Sequence, residues 1–213
     1  ATSTFPLLGF LLVLNLGLLA AMRVTRWSWM GLGAALGTFL VQFLWLQLNE
    51  SPGGPWSVVL SLGLFPLLFS AVMRASPDRS SELPPATLLA LLAPAVITLL
   101  TTPAVTSTTS LWPITALMAA LIVAARFIVR SDQLTLATSI TGGLTLTVMA
   151  LRTRIALPGE LTDWTWIQWA VGMCGISGGL LLLTSRASSD RRRFLSLLPF
   201  AVACIALLAA PFV

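Results

Sequence analysis

The chain has 213 residues, of which 57% are hydrophobic and 9% are charged, and its mean hydropathy is +0.94. Soluble domains carry roughly 25% charged residues, so the composition excludes an ordinary water-soluble domain and indicates a helical bundle embedded in lipid. The net charge of +5 comes from 12 arginines, and these punctuate the hydrophobic runs instead of gathering on one soluble face. That distribution argues against nucleic-acid binding.

Eight hydrophobic segments follow one another, and about 20 helical residues span the hydrocarbon core of a bilayer. We predict helices over residues 5–22, 29–48, 57–74, 86–102, 111–130, 134–151, 164–184 and 194–212. The fourth segment is the least regular, because Pro94 interrupts it and Pro103 ends it. Only Ser131-Asp132-Gln133 separates the fifth and sixth, which predicts a tight helical hairpin. The expected fold is an all-α integral membrane protein, a single transmembrane domain over residues 1–213.

The arginines divide unequally between the two sides of this threading. One side receives ten of them: Arg23, Arg26, Arg74, Arg79, Arg126, Arg130, Arg186, Arg191, Arg192 and Arg193. The other side receives Arg152 and Arg154. Basic residues favour the cytoplasmic side, so we expect eight helices with both termini on the non-cytoplasmic side of a bacterial-type inner membrane or a thylakoid membrane. No basic residue precedes the first segment, which favours an inserted helix over a cleaved signal peptide.

Titratable side chains are missing from the middle of every hydrophobic segment, and the sequence has no His and no Lys. A charge inside the bilayer is costly and usually belongs to an ion pathway or a proton relay. Without His, haem or quinone ligation by imidazole is excluded, and Cys174 and Cys204 lie in apolar runs as expected of small hydrophobes. We therefore expect no enzymatic activity, no cofactor and no metal site, and an intramembrane enzyme acting on lipid is disfavoured.

Small residues four positions apart occur on three predicted helices. The pairs are Gly33 with Gly37, Ser139 with Gly143, and Gly175 with Gly179. Such pairs let helix backbones approach closely. Packing within the bundle is the expected role, and contact with a partner subunit is the alternative.

Polar side chains also lie within the segments. Four threonines of the predicted sixth helix share one face: Thr135, Thr138, Thr141 and Thr145. They could line a water-filled path, although hydroxyls in helices more often bond back to the carbonyl one turn earlier. Asn15 and Gln42 could hydrogen-bond across helices, whereas Gln47 lies close to the expected interface.

The last third of the chain contains several sequence motifs in a fixed order. A glycine-containing helix ends in Met149-Ala150-Leu151-Arg152, a loop with Pro158 leads to Trp164-Thr165-Trp166-Ile167-Gln168-Trp169, and a Gly-rich helix precedes Asp190-Arg191-Arg192-Arg193-Phe194-Leu195-Ser196. Residues 140–199 thereby resemble the antiporter-like membrane subunits of complex I, related hydrogenases and cation antiporters. That family carries a buried Lys ahead of the Leu-Arg end, and residues 139–147 have none. The resemblance implies a pump-like scaffold that lacks the proton-handling residues.

Two functions remain in view. The first is a non-catalytic accessory or structural subunit of a multisubunit membrane complex, with a complex-I-like or antiporter-like proton-translocating assembly as the expected context. The second is a small permease for a neutral or apolar solute, which needs no charge in the membrane. Membrane lipids and other integral membrane subunits are the expected partners, and nucleic acid is not.

Overall fold

The structure is a computed structural model that describes residues 4–25, 28–48, 55–75, 85–101, 111–156, 167–176 and 201. Seven helices occupy these ranges: α1 Thr4–Thr25, α2 Ser28–Leu48, α3 Pro55–Arg74, α4 Pro85–Leu100, α5 Trp112–Val123 with a π-helical end Ala124–Val129, α6 Asp132–Ala156, and α7 Ile167–Ile176. No strand occurs within these ranges. The all-α fold predicted from composition is therefore confirmed for the described part of the chain.

Three stretches are long and apolar enough to cross a membrane. They are Trp29–Leu48 in α2, Trp112–Val129 in α5, and Asp132–Arg152 in α6. The apolar parts of α1, α3, α4 and α7 are shorter. The predicted eighth helix, 194–212, lies outside the described residues apart from Ala201, which is helical.

Side-chain contacts between helices give the relative direction of several helix pairs. In an antiparallel pair, a residue late in one helix lies beside a residue early in the next, as Gln42 of α2 lies beside Ser61 of α3. In a parallel pair, the first turns of the two helices lie side by side, and so do their last turns. The starts of α5 and α7 meet where Gln168 bonds to Leu111, and the ends of α4 and α6 meet where Arg152 bonds to Leu99. Together with the tight hairpin between α5 and α6, these contacts make α4 and α6 run opposite in direction to α5 and α7.

Helix α4, the least regular segment in the sequence, is packed on one side and has Leu88, Val96 and Leu100 exposed on the other. It packs against α2, α3 and α6. Its buried face contains only small and medium side chains: Ala86, Thr87, Ala90, Leu91, Pro94, Ala95, Ile97 and Thr98. Three neighbours can approach one helix closely only where side chains are small, so the alanines explain how α4 packs against all three. Pro94 lies within the helix and does not end it.

The connection between α5 and α6 is the short hairpin predicted from sequence, with one difference. The sequence predicts one continuous α-helix over residues 111–130, whereas the last turns, Ala124–Val129, are π-helical. Arg130 then adopts a left-handed conformation with φ 61° and ψ 36°, and Ser131 caps α6 by accepting a hydrogen bond from the Leu134 N–H at 3.2 Å. The N–H groups of Arg130 and Ser131 both donate to the Ala125 carbonyl across the wider π turn. The chain therefore reverses direction between α5 and α6 within these two residues.

Candidate functional site: a neutral polar core with charged helix ends

The first polar contact in the bundle joins α1 to α2. Asn15 Nδ2 donates to Thr38 Oγ1 at 2.7 Å and to the Leu11 carbonyl at 2.8 Å. Thr38 in turn donates to the Ala34 carbonyl at 2.7 Å, and both side chains are buried. The expected interhelical role of Asn15 is thus observed, although its partner was not foreseen. Thr38 is the residue after the exposed Gly37. Only the packing of α1 against α2 shows that the Thr38 side chain is buried.

The second polar contact joins α2 to α3. Gln42 Nε2 donates to the backbone carbonyl of Ser61 at 2.7 Å. The hydroxyl of Ser61 donates to the Val58 carbonyl at 2.8 Å. Gln47, expected near the interface, is exposed. The two amides foreseen as interhelical donors, Asn15 and Gln42, therefore both cross between neighbouring helices.

The threonine face of α6 is turned toward the bundle, but its hydroxyl hydrogens are already used. Each of the four donates to the carbonyl four residues earlier, at distances of 2.6–2.9 Å. Thr135, Thr138 and Thr145 are buried, and Thr141 is half-buried. Ser139 and Thr147 bond back in the same way. This arrangement is the ordinary behaviour of hydroxyls in helices, and it leaves the stripe without a donor directed at a passing solute.

Helix α7 is attached by two side chains that the sequence pattern did not single out as a site. Gln168 Oε1 accepts a hydrogen bond from the Leu111 N–H at 2.7 Å, and Trp169 Nε1 donates to Thr147 Oγ1 at 3.3 Å. Both side chains are almost fully buried. The Leu111 N–H precedes the first turn of α5 and so has no partner within that helix. The sequence feature that could have predicted this contact is Gln168, a polar amide close to tryptophans in an apolar segment.

Three buried polar atoms have no hydrogen-bond partner among the described residues: Gln42 Oε1, Ser70 Oγ and Thr87 Oγ1. Ser70 and Thr87 are fully buried on α3 and α4. Buried polar atoms are normally paired, and each exception costs free energy. All three groups are neutral, so they can bind another neutral polar group but cannot carry a proton as a titrating relay.

Charged side chains lie at helix ends throughout the described part of the chain. Arg74 ends α3, Arg126 and Arg130 end α5, Asp132 begins α6, and Arg152 lies near the end of α6. Arg126 and Asp132 form a salt bridge of 2.9 Å in which both side chains stay partly exposed. Arg152 Nη1 donates to the Leu99 carbonyl at 3.2 Å. The expectation of an uncharged interior therefore holds for every side chain that the structure describes.

The glycines divide into those inside the bundle and those on its surface. A Cβ placed on Gly142 would lie 3.3 Å from Met118, and one on Gly172 would lie 3.1 Å from Thr115, so these positions allow close packing. Gly33, Gly37 and Gly175 have nothing within 4 Å of that position and are exposed. Ser139 and Gly143 are buried on α6. The Gly33 and Gly37 pair thus faces outward from the described helices, where a partner could contact it.

Several predicted residues lie outside the described part of the chain. They are Gly179, Arg26, Arg79, Arg186, Arg191, Arg192, Arg193 and Cys204. Arg23 and Arg154 lie in the last turns of α1 and α6. Cys174, expected to be buried, is exposed on α7. No group of three metal-ligating side chains occurs among the residues that the structure describes.

Comparisons with protein-family models, with curated protein sequences and with solved structures found no match. The residues therefore carry the functional argument alone. In the described bundle they provide neutral cross-helix hydrogen bonds, close helix packing and a charged rim.

Proposed function

We propose that this protein is a non-catalytic structural subunit of a multisubunit membrane complex, with a proton-translocating assembly of the complex-I or antiporter type as its context. The observation that carries the proposal is the uncharged interior of the described bundle. Its buried polar groups are amides and hydroxyls, which tie helices together but have no titrating proton to pass on. The resemblance of residues 140–199 to antiporter-like subunits supplies the context.

The proposed topology has eight transmembrane helices, with both termini on the non-cytoplasmic side. The opposite directions of α5 and α6 support it, because Arg126 and Arg130 then lie at one end of the bundle and Arg152 lies at the other. The excess of arginine at one end is the usual mark of the cytoplasmic side. Single-cysteine labelling from each side of intact membrane vesicles tests this proposal, with Arg130→Cys and Arg152→Cys in a chain freed of its own cysteines. Labelling of both from the same side would contradict it.

The proposed contact with other subunits lies on α1 and α2. Helix α1 packs mainly against α2, so the pair forms an edge of the described bundle. Four glycines on this edge are exposed, and a Cβ added to any of them would have nothing within 4 Å: Gly9, Gly17, Gly33 and Gly37. Without a hydrophobic drive between helices in lipid, close backbone approach is a main source of association. A transmembrane helix of a neighbouring subunit could pack closely against these exposed glycines.

Purification from native membranes in mild detergent tests the proposed function. The expected result is a particle far larger than the 22.7 kDa chain, containing further integral membrane subunits of a quinone-reducing or antiporter-type assembly. A stable, lone monomer that survives gentle extraction and crosslinking in the membrane would overturn the proposal. Identification of the co-purified chains by mass spectrometry distinguishes the proposed context from another kind of complex.

A paired substitution tests the proposed edge. Gly33→Leu with Gly37→Leu places side chains into open space in this chain, so the isolated subunit should fold while the complex is lost. The matched control is Ala116→Leu with Ala119→Leu, which enlarges two exposed small residues on α5. Loss of the complex with the control pair but not with the glycine pair would place the contact on α5 instead.

The second candidate, a permease for a neutral solute, is favoured by one observation. Gln42 Oε1, Ser70 Oγ and Thr87 Oγ1 are buried without partners in the described bundle, and a hydroxylic solute could satisfy such atoms. The threonine stripe of α6 does not add to this candidate, because its donors are used within the helix. Uptake of neutral solutes such as glycerol or urea into proteoliposomes tests it, with Thr87→Val as the variant expected to lower the rate.

A further inference from the structure

Helix α3 has a continuous exposed apolar stripe that ends in an arginine. Leu60, Leu64, Leu67 and Ala71 are exposed at alternating spacings of four and three residues, which places them on one side of a helix. Arg74 continues this spacing, is exposed and is the last residue of α3. An acyl chain can lie along such a stripe, while the guanidinium reaches the headgroup level.

Helix α5 repeats the arrangement. Ala116, Ala119, Val123 and Phe127 are exposed along it, with Phe127 58% exposed. Arg130 follows at the end of the same stripe and is also exposed. Two apolar stripes on neighbouring helices therefore each end in an arginine.

The two arginines lie at the same level of the bundle. Helix α3 packs against both α5 and its π-helical end, and a Cβ placed on Gly63 would lie 3.3 Å from Leu117. Since Leu117 precedes the π-helical end by about two turns, the second half of α3 lies beside that end. Arg74 lies as many residues beyond Gly63 as Ile128 lies beyond Leu117, so Arg74 is level with the last π turn. Asp132 is the acidic side chain described nearby, and Arg126 neutralises it through the 2.9 Å salt bridge. Among the described residues at this end, Arg74 and Arg130 carry positive charge that the pair does not cancel.

The backbone at Arg130 is a second, independent indication. Its φ of 61° is the one positive φ at a non-glycine residue in the described chain. Helices usually end with Gly, or sometimes Asn, at such a position, because a Cβ is disfavoured there. A side chain held where glycine is preferred indicates a use for that side chain. Capping requires only the backbone N–H, which bonds to the Ala125 carbonyl, so the guanidinium is left to another role.

We propose that the α3–α5 end is a binding site for an anionic phospholipid, whose phosphate contacts Arg74 and Arg130 and whose acyl chain lies along an exposed stripe. Guanidinium groups match phosphate geometry through paired N–H donors. Basic side chains at the membrane surface attract anionic lipids. The apolar stripes favour a lipid over free phosphate as the source of that anion. The proposal depends on membrane insertion but not on the identity of any partner subunit.

Lipid binding to the purified chain in neutral detergent tests the proposal, measured by native mass spectrometry and by thermal unfolding. The probes are phosphatidylglycerol, phosphatidylcholine of equal chain length, and glycerol phosphate. The expected result is retention of phosphatidylglycerol over phosphatidylcholine, with a higher unfolding temperature for phosphatidylglycerol and no shift with glycerol phosphate. Equal effects of the two lipids, or the same shift with glycerol phosphate, would overturn the lipid site.

The variants assign the site to the two arginines. Arg74→Gln with Arg130→Gly should weaken phosphatidylglycerol binding about tenfold or more, since each basic residue near the surface contributes to anionic-lipid affinity. Arg74→Lys keeps the charge and should retain most of the binding. Arg152→Gln removes an arginine from the opposite end and should leave binding unchanged. If Arg152→Gln weakens binding as much as the double variant, attraction to the overall charge explains the effect and the site is refuted.

Discussion

The amide of Asn15 lies 2.7 Å from the hydroxyl of Thr38, midway along α1 and α2 and buried from its surroundings. The same amide also donates to the Leu11 carbonyl, and Thr38 donates to Ala34. Both N–H groups of Asn15 and the hydroxyl of Thr38 are therefore satisfied without water. The contact is a polar clamp between two helices that are otherwise apolar.

Removing either side of this clamp should cost modest stability. Interhelical hydrogen bonds in membranes contribute about 0.6 kcal/mol on average, with a maximum of about 1.7 kcal/mol. We expect Thr38→Val to lower the free energy of unfolding by about 1 kcal/mol, because the Asn15 amide loses an acceptor. Reversible unfolding in mixed micelles measures it, and Thr38→Ser is the matched control. A double-mutant cycle with Asn15→Leu should give a coupling energy clearly above zero, and additive effects would show that the contact is not energetically coupled.

Thr147 and Thr141 provide a comparison within one helix. Both hydroxyls bond back to a carbonyl four residues earlier, but Thr147 also accepts the indole N–H of Trp169. Thr141→Val should change the unfolding free energy by less than about 0.5 kcal/mol, whereas Thr147→Val should cost about 1–2 kcal/mol through the buried indole donor. Thermal unfolding in detergent checks the difference. Equal effects of the two changes would mean that the Trp169 bond contributes nothing to stability.

Glycines inside and outside the bundle should respond in opposite directions. A Cβ on Gly172 would lie 3.1 Å from Thr115 Cγ2, and a β-branched neighbour has little rotamer freedom with which to move away. Gly172→Val should therefore cost about 1–3 kcal/mol by overpacking. Gly33→Ala points into open space and should stabilise the isolated subunit by about 0.5–1 kcal/mol, since alanine favours the helix. Unfolding temperatures of both variants are the measurement, and destabilisation by Gly33→Ala in the isolated chain would contradict the open position.

Arg130→Gly should stabilise the isolated chain. The left-handed conformation at φ 61° costs a residue with a Cβ roughly 1–2 kcal/mol relative to glycine. The gain should be smaller, about 0.5–1 kcal/mol, because glycine also has more conformational freedom to lose on folding. Unfolding in lipid-free neutral detergent measures this effect apart from lipid binding. Arg130→Ala is the control, since it removes the same charge but keeps the Cβ, and an equal gain with alanine would assign the effect to charge.

Much of the architecture could be predicted from local sequence. Hydrophobic length and turn residues predict the positions of α1 to α6 closely, because a span of lipid requires about 20 apolar helical residues. The hairpin at Arg130-Ser131 could be predicted because a linker of two residues is too short to let α6 leave the end of α5. The back-bonding of the α6 threonines is likewise local, since donor and acceptor lie one turn apart on the same helix.

The remaining features depend on which face each helix turns toward its neighbours. Hydrophobicity is nearly uniform around a helix in lipid, so it does not distinguish the inward Gly172 from the outward Gly33, or assign Thr38 as the partner of Asn15. The π-helical end of α5 and the link from Gln168 to Leu111 join residues brought together by packing, and no local pattern encodes them. Sequence by itself determined the helices, their order and the expected absence of charge within them. Only the tertiary structure decided the three neighbours of α4, the open glycine edge and the shared level of Arg74 and Arg130, because shape complementarity, and not polarity, selects neighbours inside a membrane.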